Sequence, residues 1–72
     1  MNYTAFMPEV DMHKLRELRR LRVLTLQELE KKSGVSYSTL VRLEHGKTSA
    51  HPRTIRRLAN ALGVPPPELL KK

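Results

Sequence analysis

The sequence predicts an all-α fold, five short helices packed into one small domain behind an extended N-terminal arm. Three observations predict it. Apolar residues recur at helical spacing in several separate stretches, residues that favour helix starts stand just before those stretches, and the glycines Gly34, Gly46 and Gly63 each stand singly where a stretch ends.

A chain of 72 residues is enough for one domain and leaves little room for a large enclosed active site. With no cysteine, neither a disulfide framework nor a thiolate metal site supplements the core, so stability must come from packing. The apolar runs are only a few residues long, far short of the roughly 20 that span a bilayer, and residues 1–10 lack a basic start followed by an apolar stretch. A cytoplasmic chain is expected. Fourteen Lys and Arg against seven Asp and Glu leave a formal charge of +7, which favours a polyanionic partner, most commonly nucleic acid.

Residues 1–10, with Tyr3, Phe6, Met7 and Pro8, show no sustained helical period and are assigned to the arm; residues 11–72 are assigned to the domain. Asp11 can cap a first helix that carries Met12, Leu15 and Leu18 on one face and most of Lys14, Arg16, Arg20 and Arg22 on the other. Thr25-Leu26-Gln27-Glu28 has the form of a capping box, in which the threonine oxygen and the glutamate carboxylate satisfy N–H groups at a helix start. The second helix is expected to reach about Lys32. Gly34 then stands where a tight turn needs positive φ, and Ser36 supplies the cap of a third helix with Leu40 and Leu43 inward. Two short helices around a glycine turn form a helix-turn-helix, whose second helix keeps an outward face free of core duties.

Glu44-His45-Gly46 ends the third helix, and Lys47–His51 form a polar loop before Pro52, a good first-turn residue. In the fourth helix Ile55, Leu58, Ala59 and Leu62 fall at the spacing of a buried stripe, and Gly63 terminates it. The prolines at 65, 66 and 67 lead into Glu68-Leu69-Leu70, read as a short fifth helix begun by proline.

Several motifs in register resemble the Cro and lambda-repressor-like (Xre) family over about residues 12–70. They are Leu15-Arg16-Glu17-Leu18-Arg19, Leu24-Thr25-Leu26-Gln27-Glu28-Leu29, Gly34-Val35-Ser36, Leu43-Glu44-His45-Gly46-Lys47, and Leu58-Ala59-Asn60-Ala61-Leu62-Gly63-Val64 with Leu69-Leu70. The resemblance implies a five-helix lambda-repressor-like DNA-binding domain, bacterial or phage-encoded and nucleoid-associated, whose closing segment often helps to build a dimer interface. Three positions depart from the family pattern. Val23 stands where glycine or a polar residue is common, and a β-branched residue there is strained if φ is positive. Leu26 replaces a glutamine that reaches a phosphate, which moves that contact to Gln27 if it is kept. Glu30 replaces a small residue where the two helices cross, so it must swing outward or widen the crossing.

By the same resemblance, base reading falls to Tyr37, Ser38 and Thr39, with Arg42 one turn on. The chemistry suits the role. Arg42 can bond two acceptors of a guanine edge, Ser38 and Thr39 can donate to or accept from several bases, and a thymine methyl can pack on Thr39 or Tyr37. Phosphate contacts are expected from Gln27, Ser36, Lys47, Thr48, Ser49 and Arg53, which flank the third helix and position without specifying sequence. Arg56, Arg57, Lys71 and Lys72 are expected to add to the overall field or to lie near a dimer interface. The resemblance further pairs Arg19 with Glu44 in a partly buried salt bridge that orients the recognition helix.

An enzyme would need a convergent nucleophile, base and orienter, or a metal cluster. His13, His45 and His51 have neither close helical spacing nor accompanying carboxylates, and no glycine-rich phosphate loop is present, so no catalysis, metal or cofactor is expected. The expected partners are double-stranded DNA and a second copy of the chain, with recognition helices about 34 Å apart on a near-palindromic operator and repression by occupying promoter DNA. The rival reading is a protein-interaction module such as an antitoxin, using Tyr3 and Phe6 of the arm or the Leu69-Leu70 tail. RNA binding is disfavoured, because Tyr3, Phe6 and Tyr37 are the whole aromatic complement and make no stacking platform.

Overall fold

Three of the helix starts coincide with the polar residues that the sequence offers as caps. The computed structural model describes residues 7–47 and 49–72, so Tyr3, Phe6 and Thr48 lie outside the described residues. Four α-helices follow one another: α1 (Met12–Leu21), α2 (Leu26–Ser33), α3 (Tyr37–Glu44) and α4 (Pro52–Leu62). Asp11 Oδ1 accepts from the His13 and Lys14 N–H groups at 3.0 and 3.1 Å. At α2 the capping box closes in both directions, Glu28 N–H donating to Thr25 Oγ1 at 3.0 Å and Thr25 N–H to Glu28 Oε1 at 2.8 Å. Ser36 Oγ accepts from Thr39 N–H at the start of α3. In contrast, α4 opens on Pro52 without a side-chain cap, its first donor being absent in proline.

The fifth helix is corrected to a single 3-10 turn over Pro66–Leu69. Each proline disfavours helical φ/ψ in the residue before it, and Leu70 turns extended after a single turn. What remains are i→i+3 bonds, Glu68 N–H to Pro65 O at 3.0 Å and Leu70 N–H to Pro67 O at 3.1 Å. Leu70 then bridges Val10.

Leu15, Leu29, Leu40, Leu43, Leu58, Leu62 and Leu69 are fully buried, one or two from each helix and one from the 3-10 turn. α3 packs against α1 and α2, α4 against α2 and the 3-10 turn, and α1 against that same turn. The core therefore closes as a ring of helix faces. Val35, in the turn between α2 and α3, is also buried and plugs the space beneath it.

The end of the arm is tied into this core. Val10 is buried, Asp11 N–H donates to Leu69 O at 2.9 Å, Lys71 N–H to Glu9 O at 3.0 Å, and Ala50 N–H to Pro8 O at 3.2 Å. Residues 8–10 thus connect the loop before α4 to the C-terminal segment.

Candidate nucleic-acid interface

The turn between α2 and α3 decides how α3 is presented. Gly34 adopts φ 77°, a left-handed conformation that a side chain would strain, and its N–H bonds to Glu30 O at 2.8 Å. Ser33 Oγ takes the Val35 N–H at 3.1 Å within the same turn. Beyond it Leu40 and Leu43 bury the inner face of α3. Tyr37, Ser38 and Arg42 consequently stand on the exposed side. Thr39 differs from them: it is half-buried, and its hydroxyl takes a 2.9 Å hydrogen bond from Ser36 Oγ.

The far end of α3 is held by charge. Arg19 Nε and Nη2 donate to the two Glu44 carboxylate oxygens at 2.6 and 2.9 Å, and Arg19 Nη1 donates to Leu24 O at 2.8 Å. Glu44 is only 3% exposed and the Arg19 side chain 15%, so the pair is well shielded from water. The bidentate geometry suits guanidinium and carboxylate, and the hydrogen bonds Arg19 donates to Glu44 raise its pKa above the ordinary arginine value against the opposing effect of burial. Arg16 joins them, its Nε 3.7 Å from Glu44 Oε1 and its Nη2 donating to the Glu44 carbonyl. One guanidinium therefore pairs with the side chain of the last α3 residue while another caps its backbone.

Arg16 was not among the sequence-derived site residues, nor was Glu30 as a ligand of α3. Arg16 lies three positions before Arg19 on α1, a spacing that puts both on one face, and this was the available signal. Glu30 does swing outward: its Oε2 accepts from Tyr37 N–H, the first of α3, at 3.0 Å. Val23, after α1, keeps the left-handed conformation at φ 55° and is 85% exposed. Leu24 N–H to Arg19 O at 3.1 Å and Val23 N–H to Arg20 O at 2.9 Å make this a Schellman turn with valine where glycine fits best.

Around α3, Gln27 is exposed on the first turn of α2, Lys47 is exposed just after α3, and Arg53 is exposed on the first turn of α4. Lys47 N–H closes the C-terminal turn of α3 on Arg42 O at 2.8 Å. Ser36 is exposed but its hydroxyl serves Thr39; Ser49 is half-buried and bridges Glu9 through the backbone. Arg56, Arg57, Lys71 and Lys72 are exposed as well. Among the described residues, no group of three His, Asp or Glu side chains is arranged to hold a metal ion, and no helix is long and apolar enough to cross a membrane.

An all-α domain with two short helices joined through a left-handed glycine, the second braced at both ends and open on its outer face, is a helix-turn-helix domain. A family model described as Helix-turn-helix matches residues 15–69, and the chain belongs to that family, in its Cro and lambda-repressor-like branch. It is similar to two proteins of Bacillus subtilis strain 168. One is the uncharacterized HTH-type transcriptional regulator RghRB, 48% identical over 52 residues, covering 71% of this chain and 37% of the relative. The other is the HTH-type transcriptional repressor RghR, 44% identical over 59 residues, covering 81% of this chain and 44% of the relative. The chain thus spans about two-fifths of the length of these curated relatives. Among solved structures, the restriction-modification controller protein C.AhdI from Aeromonas hydrophila superposes with a TM-score of 0.76 at 34% identity, over 82% of this chain and 89% of that one. A hydroxyethylphosphonate dioxygenase mutant superposes with a TM-score of 0.77 at 27% identity, but over only 14% of its own chain.

Proposed function

We propose that this chain is a sequence-specific double-stranded DNA-binding transcriptional regulator, a cytoplasmic and non-catalytic repressor that acts as a homodimer on a near-palindromic operator. The observation that carries the reading is the division of labour on α3: Leu40 and Leu43 are buried, while Tyr37, Ser38 and Arg42 are exposed together on a helix pinned at both ends. Such a helix loses little freedom on entering a major groove, where Arg42 reads a guanine edge and Ser38, Tyr37 and the Thr39 methyl supply the remaining base contacts. Gln27, Ser36, Lys47, Thr48, Ser49 and Arg53 position the duplex through phosphates, as amide, hydroxyl and cationic groups flanking a reading helix do. The names of RghR, a repressor, and C.AhdI, a controller, support the regulatory reading.

The homodimer is supported by a mostly apolar cleft lined by Pro8, Pro52, Ile55, Pro66 and Leu70, with Arg56 at its side, where the C-terminal segment, α4 and the end of the arm meet. Residues 1–10 and 11–72 are accordingly proposed as an arm and a domain, with the arm's last residues anchored to the domain.

Selection of bound duplexes from a random DNA pool tests the reading, followed by salt titration of the best duplex with wild type and Arg42→Ala. A near-palindromic motif whose preference relaxes at one position per half-site in the variant supports it. No enriched motif, or an affinity indifferent to salt, overturns it.

A further inference from the structure

Glu30 puts a negative charge where the proposed interface most favours an anion from outside. It lies on α2 three residues after Gln27 and shares its helical face. Its carboxylate reaches across the turn to accept from Tyr37 N–H at 3.0 Å. Ser36 Oγ takes Thr39 N–H on the same terminus. The N-terminal end of a helix carries partial positive charge and free donors, and in a DNA reader both would draw a backbone phosphate.

Most other carboxylates have different work. Asp11 caps α1, Glu28 closes the capping box of α2, Glu44 pairs with Arg19, and Glu17 and Glu68 flank Lys14 at 3.9 and 3.7 Å. Glu30 forms no ion pair with a Lys, Arg or His among the described residues, so its charge is not neutralised locally. It adjoins Gln27, Ser36 and Tyr37, three of the groups that the proposed function assigns to the duplex. A neutral acceptor would also satisfy the Tyr37 N–H, though more weakly than a carboxylate at the positive end of a helix, so the charge both supports α3 and faces whatever approaches it.

We infer that Glu30 is an anionic brake on DNA binding, its carboxylate occupying the first N–H of α3 and repelling the nearest backbone phosphate. The inference rests on the DNA-binding reading. Like charges a few ångströms apart at a protein surface still repel appreciably, because the Debye length at physiological salt is about 8 Å. The repulsion acts on phosphate and not on bases, so it lowers affinity for every duplex alike. On a chain with a net charge of +7 it opposes indiscriminate attachment and speeds release.

The test uses Glu30→Gln, which keeps an oxygen acceptor for Tyr37 N–H and removes the charge, and Glu30→Ala as a second variant that leaves this donor free. Affinity for a selected duplex and for a random one is measured over a salt series, alongside thermal melting. For Glu30→Gln the expected result is about a tenfold gain on both duplexes near 0.1 M salt, with the slope of log affinity against log salt steeper by up to about one. If Glu30→Gln melts below the working temperature, the same gain is expected of Glu30→Ala. A purely structural cap would leave the slope and both affinities where they are, and that outcome overturns the inference. A drop in affinity confined to the selected duplex, with preference lost at one base pair, also overturns it by making Glu30 a base reader. If wild type binds no duplex in a salt-dependent way, the DNA-binding reading itself falls and takes the brake with it.

Discussion

Arg19 and Glu44 form a bidentate pair at 2.6 and 2.9 Å that ties the beginning of the fold to the last residue of α3. The third arm of the guanidinium is taken by Leu24 O, so the same side chain also fixes the turn leading into α2. Removing Arg19 leaves the buried Glu44 carboxylate with only the longer contact to Arg16, and removing Glu44 leaves a half-buried guanidinium held by Leu24 O alone. Glu44→Ala should therefore cost about 3–5 kcal/mol, a large share of the stability of a domain this small. Arg19→Ala should cost a comparable amount, and the double variant less than the sum of the two, since removing the second partner relieves the charge stranded by the first. Urea unfolding of the four proteins checks this. Strictly additive losses of under about 1 kcal/mol each would reduce the pair to an ordinary surface ion pair.

Val23 offers a gain where Glu44 offers only losses. At φ 55° a β-branched side chain crowds the following carbonyl, which costs roughly 1–2 kcal/mol, and with the residue 85% exposed it recovers little burial in return. Val23→Gly should stabilise the fold by about 1 kcal/mol, net of the greater freedom glycine gives the unfolded chain. For a domain of this size that corresponds to a rise in Tm of about 4–8 °C. Calorimetry of Val23→Gly beside Val23→Ala is the measurement. A glycine variant that melts lower than wild type would mean that the valine contributes more than it strains.

Much of the fold was legible because its signals are local. The capping residues Asp11, Thr25 and Ser36, the turn at Gly34 and the Ile55, Leu58, Ala59, Leu62 stripe each announce an element within a few positions of themselves. The segment after Pro65 departs from the expected fifth helix because a proline can start a helix but disfavours helical φ/ψ in the residue before it, and Leu70 is drawn out of the turn to pair with Val10. The contact of Glu30 with Tyr37 was not legible, and for Arg16 the sequence offered only a helical face shared with Arg19. Arg16 meets Glu44 from 28 residues away and Glu30 meets Tyr37 across a turn, and periodicity along one helix says nothing about which residue another helix brings to it. The exposed face of α3 follows by subtraction: once Leu40 and Leu43 are assigned inward, Tyr37, Ser38 and Arg42 are left outside.

The capping box of α2 carries a pH dependence with a definite sign. The Thr25 N–H and, next, its side chain hold the Glu28 carboxyl below the ordinary glutamate range. A depressed pKa in the folded state means that this contribution is present above the unfolded value, about 4.3 for glutamate, and fades as pH falls through the folded value. Tm of wild type should thus exceed that of Glu28→Gln near neutral pH, the difference closing on acidification below about pH 4. Because Glu28 is exposed, added salt should shrink the difference as well. A gap that stays constant from neutral to acid pH would show that the charge of Glu28 plays no part in the cap.

Lys47 and Arg53 separate positioning from reading. Both are exposed beside α3, one following its last turn and the other on the first turn of α4, but neither lies on the face that holds Arg42. If each meets a phosphate, Lys47→Ala and Arg53→Ala should weaken binding to every duplex by a similar factor and each reduce the salt slope by about one. Arg42→Ala should instead cost about 1–3 kcal/mol on the selected duplex and much less on a random one, because a guanine edge is available only in the right sequence. Titrating the three variants against both duplexes across a salt series distinguishes the roles. A loss for Lys47→Ala that appears only on the selected duplex would transfer it from the phosphates to the bases, and a uniform loss for Arg42→Ala would do the reverse.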